Sequence, residues 1–169
     1  MSGILDKIAN ISVIIGVTVF LGIVARNEFF PPKMPPNPAI ETRKALIGKM
    51  LHPQGIEFPR QHGVVLLAIS SSCHFCEENL PFYKELVGKS RGKLEVFALL
   101  PQPQQAAESY MKEAGVTVAR IVSTDLQALG IRSTPTLILL DQNGKVRDAW
   151  VGYLDEARQK RVLSQVLAN

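Results

Sequence analysis

The seven residues VVLLAIS, 64–70, constrain the fold of this chain more than any others. An alternating strand can leave one face in water, but an uninterrupted apolar run of strand length must be covered on both faces. A sheet built around it needs helices above and below, and the downstream sequence supplies them. Residues 76–89 carry Leu80, Phe82, Tyr83, Leu86 and Val87 for packing and read as a helix. KLEVFALL (93–100) reads as a second strand, QQAAESYMKEAG (104–115) as a helix stopped by Gly115, and TVARIVS (117–123) as a third strand. A short helix over 125–130 and a strand TLILLD (136–141) follow; the turn QNGK then leads to a hairpin partner at 146–153. Residues 155–168 close as an amphipathic helix with Asp155 as its cap. Upstream, ETRKALIGKML (41–51) reads as a short helix interrupted by Gly48. Strands alternating with helices define an α/β class, a sheet with helices on both faces.

The N-terminal part follows different rules. IANISVIIGVTVFLGIVA, 8–25, holds no charge, and Asn10, Ser12 and Thr18 are its only polar side chains. As a helix it spans about 27 Å, close to the hydrocarbon thickness of a bilayer. A helix against a soluble core would show a polar face, and this one shows almost none. A cleaved signal peptide is the rival reading. Lys7 is offset by Asp6, however, and Ile23 stands two residues before Ala25, where a cleavage site wants a small residue. The expectation is an uncleaved transmembrane anchor contacting lipid through 8–25, preceded by a flank at 1–7. FFPPKMPPNP (29–38) is half proline and extends as a semi-rigid spacer of about 30 Å. The expected linker is 26–40 and the expected domain 41–169, with Phe29 and Phe30 at the membrane interface. The net charge is +4 and its basic residues are scattered without a run, which speaks against a nucleic-acid partner.

The only two cysteines, Cys73 and Cys76, follow the first strand in SSSCHFCEENLP. Cys76 falls in the opening turn of the expected helix, where unpaired amides and the helix dipole stabilise a thiolate. Cys73 there would have a pKa of about 3.5–7.5, against about 8.5 for a free thiol. A thiolate attacks a partner's disulfide, and a second thiol one turn away resolves the mixed disulfide. Two other readings stay open. Zinc needs four ligands, and only His52, His62 and His74 are available to complete the set, without finger-like spacing. A structural staple would close a loop too short to remove much chain entropy. His74 either adds charge beside the thiolate or is an exposed residue without a role. Phe75 shapes the contact surface. Glu77 and Glu78 suit the helix dipole, and one of them is a candidate to relay a proton to Cys76.

With these motifs in place, the chain resembles the thioredoxin superfamily over roughly 48–168. More narrowly, it looks like the membrane-anchored thioredoxin-like reductases of bacterial envelopes, the group that includes cytochrome c maturation and methylamine-utilisation accessory proteins. VVLLAISSSCHFC carries the likeness, with Pro81 five residues after Cys76, STPT before LILL, Gly152 in WVGYL and, weakly, GKMLHP (48–53). The resemblance implies a thioredoxin-like fold with a central mixed sheet, preceded here by one transmembrane helix. It also implies that Thr134–Pro135 is cis and faces the cysteines, so that the Thr134 backbone meets an incoming peptide in strand fashion. The 62 residues from Cys73 to Pro135 exceed the minimal spacing and imply an inserted strand–helix element. Some features depart from the pattern. Ser72 replaces a tryptophan, His74 and Phe75 replace Gly-Pro, and Leu67 stands where thioredoxins keep a buried acid. Thr134 before Pro135 looks more like isomerases and oxidases.

The expected function is a thiol–disulfide oxidoreductase that reduces disulfides of envelope proteins. It would face the periplasm or cell exterior and draw electrons from a membrane thiol donor. The two cysteines carry both electrons, so neither an organic cofactor nor a metal is expected. The flanking charges, Lys7 against Arg26 and Lys33, favour the opposite orientation by the positive-inside count; a folded domain translocates despite a few such charges. The alternatives are a thiol oxidase or isomerase of the same fold, and a copper-binding assembly factor, for which C-x-x-C is the wrong spacing. A thiol peroxidase is the last, and its Pro-x-x-x-Thr/Ser-x-x-Cys pattern is missing.

Overall fold

The computed structural model describes residues 2–29, 37–51 and 63–168. They fall into two compact units, one up to residue 36 and one from Asn37 onward.

The first unit is α1 (Ser2–Phe29), a single 28-residue helix. Its described large apolar side chains, from Ile11 to Val24, are all exposed, Phe20 by 65%. Thr18 returns its hydroxyl proton to the Ile14 carbonyl at 2.8 Å, so the helix satisfies its polar group internally. Among the described residues no helix is long and apolar enough to cross a membrane. The stretch 8–25 is only partly covered, because the side chains of residues 8–10 and 12 lie outside the description. The proline-rich residues 30–36, and His52, Pro53 and His62, lie outside it as well.

The second unit opens with α2 (Pro38–Leu46), capped by the Asn37 side chain, which accepts from the Ala39 N–H. This helix ends before Gly48, whose φ of +81° a side chain would resist. Residues 48–51 then bond in extended form to Gly144, Lys145 and Val146. The sheet consists of β1 (Gly63–Ala68), β2 (Leu94–Leu100), β3 (Arg120–Ser123), β4 (Thr136–Leu140) and β5 (Val146–Val151). Its order is β3-β2-β1-β4-β5, with β1 central. β1 runs parallel to β2, and β2 to β3; β4 is antiparallel to both β1 and β5. The fold is a mixed sheet flanked by helices, as expected.

Strand β1 demonstrates the logic of the apolar run. Val65, Leu67 and Ile69 point into a core shared with α4 (Leu80–Ser90), α5 (Gln104–Glu113) and α6 (Glu156–Leu167). Val64, Leu66 and Ala68 point into the opposite core, closed by Leu46, Leu51, Leu126 and Ile131. Every residue from Val64 to Ile69 is fully buried.

Three expectations change. Residues 76–89 are two helices: α3 (His74–Glu78) and α4 separate at Asn79, where φ is −90° and ψ 0°. Pro81 has no N–H to donate and its ring crowds the carbonyl four residues back, which stops the ladder there. Residues 125–130 form a turn instead of a helix. The Asp125 side chain accepts from the Gln127 N–H, and Gly130, at φ +80°, closes the turn onto Gln127. The expected strand over 117–123 is shorter, beginning at Arg120.

Candidate active site

Cys73 is the N-cap of α3. Its Sγ accepts the Cys76 N–H at 3.2 Å, and its carbonyl accepts the N–H groups of Cys76 and Glu77. The Cys73 N–H donates in turn to Ser70 at the end of β1. The turn SSSC thus delivers the sulfur to the helix N-terminus, where the Cys76 N–H meets it. Cys73 and Cys76 are joined as a disulfide, with Cα atoms 5.2 Å apart. Cys73 is partly exposed and Cys76 fully buried. Only one sulfur therefore faces solvent.

Pro135 follows a cis peptide bond from Thr134. The next residue, Thr136, pairs with Ala68 of β1, which brings the proline alongside the strand end that leads to Cys73. A cleft of about 280 Å³ is lined by Ser70 and Thr134 together with Asp125 and Arg132. The Pro135 carbonyl is taken by the Gly152 N–H at 2.8 Å. Gly152 has φ +84°, a conformation that lets the chain turn out of β5 at this point.

His74 extends into solvent, and its Nε2 lies 3.0 Å from a Glu78 carboxylate oxygen. Phe75 is 52% exposed and its ring lies 6.1 Å from that of Tyr153, also exposed. The sequence does not single out Tyr153; its one signal is its place directly after Gly152. Glu77 is exposed on the other flank and lines a cleft of about 640 Å³ with Leu80, Tyr110 and Glu113. Burial pushes the Tyr110 phenol up, and the Glu77 carboxylate adds to the effect. The Tyr83 phenol behind it is pushed up further, by burial first and Tyr110 second. Neither phenol oxygen has a hydrogen-bonding partner among the described residues. Within the same residues, no group of three His, Cys, Asp or Glu side chains is arranged to hold a metal ion.

A mixed five-stranded sheet, a disulfide at a helix N-terminus and a cis-proline beside it together define the thioredoxin-fold class. Residues 59–167 match the family model of the thioredoxin-like domain, and the chain belongs to that family. It is 27% identical over 113 residues to the thiol-disulfide oxidoreductase ResA of Geobacillus thermodenitrificans (strain NG80-2), covering 63% of this chain and 64% of that one. The ResA of Geobacillus kaustophilus (strain HTA426) is 26% identical over the same shares. The chain thus spans just under two thirds of the length of these curated relatives. Among solved structures, a Chlorobium tepidum protein assigned as the thiol:disulfide interchange protein DsbE aligns with a TM-score of 0.60 at 20% identity, covering 72% of this chain and 96% of that one. StoA from Bacillus subtilis aligns with a TM-score of 0.52 at 17% identity, covering 70% and 96%. At these identities the structures share the fold.

Proposed function

We propose that this protein is a thiol–disulfide oxidoreductase that reduces disulfides of envelope proteins through Cys73 and Cys76. The observation that carries the reading is the asymmetry of the pair: one sulfur partly exposed at a helix N-cap, the other buried one turn on. In the reduced protein the Cys73 thiolate attacks one sulfur of a substrate disulfide. A Cys73–substrate disulfide forms and one substrate thiolate leaves. Cys76 gives up its thiol proton, for which Glu77 is the candidate acceptor, and attacks Cys73 Sγ. The Cys73–Cys76 disulfide forms and the second substrate thiolate leaves. Two electrons pass to the substrate, whose two thiolates take up protons. A membrane thiol donor restores the pair by the same exchange in reverse. The cysteines carry both electrons, so the reading requires no organic cofactor or metal.

In this reading Pro135 and the Thr134 backbone receive the substrate in extended form, and Phe75 borders it. His74, paired with Glu78, lies at the rim. Residues 8–25 anchor the chain, and the domain faces the periplasm or cell exterior. The uncharged composition of that stretch and the exposure of its described apolar side chains support the anchor. The names of the ResA relatives support the chemistry.

Trapping tests the reading. The full chain, purified in detergent and reduced, is mixed with a disulfide-bonded peptide. Cys76→Ser should accumulate a Cys73–peptide disulfide, and Cys73→Ser should accumulate none. Equal trapping by both variants, or none by either, would refute the assignment of roles.

A further inference from the structure

Asn79 is fully buried, yet it carries an amide with two N–H donors and an acceptor oxygen to satisfy. Burying such a group without partners is costly. Its Nδ2 donates to the Phe75 carbonyl at 3.0 Å, and its Oδ1 accepts from the Leu154 N–H at 3.4 Å. The chemistry of the two partners determines which way the amide points, since a carbonyl must meet the NH2 and an N–H must meet the oxygen.

These two bonds connect distant parts of the chain. Phe75 lies between the two cysteines. Leu154 lies in the loop from β5 to α6, two residues beyond Gly152, whose N–H holds the Pro135 carbonyl. A single buried side chain therefore ties the inter-cysteine backbone to the loop that grips the cis-proline. The Phe75 and Tyr153 rings face each other across the same junction. Asn79 also sits at the break between α3 and α4, so the five-residue helix that Cys73 caps and that carries Cys76 has no continuous ladder into α4. In the oxidised protein the disulfide holds that short helix. Once the disulfide is reduced, the covalent tie is gone and the Asn79 bonds remain.

We propose that Asn79 is a positioning residue for disulfide exchange: it keeps the Cys73–Cys76 turn in register with Pro135 and the 152–154 loop when the pair is reduced, so that a bound peptide disulfide meets Cys73 in line. The inference rests on the oxidoreductase reading above. A peptide depends on that register, because it contacts both the proline edge and the sulfur. A disulfide without a backbone depends on the sulfur alone.

The experiment compares Asn79→Leu and Asn79→Ser with the unmodified full chain, each purified in detergent and reduced. The substrates are a disulfide-bonded peptide and hydroxyethyl disulfide. The expected result is a fall in kcat/KM of about tenfold for the peptide, mostly through KM, the scale of lost hydrogen bonds and misplaced reactants. The hydroxyethyl disulfide rate should change by less than about twofold, since only attack geometry at the sulfur is shared. Amide exchange at Leu154 should accelerate in the reduced variants. The serine variant leaves more room and serves if the leucine one does not fold. An equal loss on both substrates would mark a merely structural role and overturn the inference, as would an unchanged peptide rate in a folded variant. If the unmodified chain reduces neither substrate, the oxidoreductase reading itself fails, which is a distinct result from an active parent with equally active variants.

Discussion

Cys76 and Tyr83 share one core, and the contrast between them shows how burial acts on single groups. Cys76 is withdrawn from solvent while Cys73 meets it, so two identical side chains at a three-residue spacing take different roles. Tyr83 is equally buried, but its phenol finds no partner among the described residues. Burial therefore holds its proton, with Tyr110 nearby adding to the effect. The unfolded chain releases that proton near the ordinary value of 10.0, whereas the folded chain keeps it. Stability from this difference is complete below that value and is lost progressively as pH rises above it toward the higher folded value. The melting temperature should fall above pH 10.0, and Tyr83→Phe should flatten part of that fall while leaving stability at neutral pH unchanged or higher. Thermal melts across alkaline pH would measure this. A variant that falls as steeply as its parent would contradict it.

At the scale of elements, the apolar runs were legible because they obey one rule: β1, β2 and β4 are covered on both faces. Asp155 was legible as a cap for the same local reason, and its side chain accepts the Arg158 N–H at 2.8 Å. Asp155→Ala should destabilise the protein by about 1 kcal/mol in urea unfolding, with the slope unchanged. A loss near zero would mean that α6 is held by Val162, Leu163 and Val166 alone. Other features were not legible. The split at Asn79 depends on Pro81 two residues later and on partners in Phe75 and Leu154, the second far away in sequence. The pattern at 125–130 fits a short helix, but the Asp125 side chain bonds its own backbone in preference. Tyr153 read as a hairpin residue, although Gly152 before it is where the chain leaves the sheet.

At the scale of the whole molecule, the two units differ in what covers their apolar side chains. The unit from Asn37 onward buries its own on both faces of a sheet. The helix α1 leaves its described apolar side chains exposed. The proposed anchor makes a prediction at this scale. The full chain should float with phospholipid vesicles in a density gradient, and a variant with residues 8–25 deleted should remain at the bottom. Flotation of both would assign the lipid contact elsewhere.

The proposed function requires Cys73 and Cys76 to form a reversible redox pair that donates electrons to protein disulfides. The most direct test is the reduction potential, measured on the detergent-purified full chain by equilibration with dithiothreitol. One two-electron transition is expected near the thioredoxin value of about −270 mV. A transition near about −120 mV would reverse the direction of electron flow, since that range belongs to oxidants. The absence of any reversible transition would contradict the redox assignment itself.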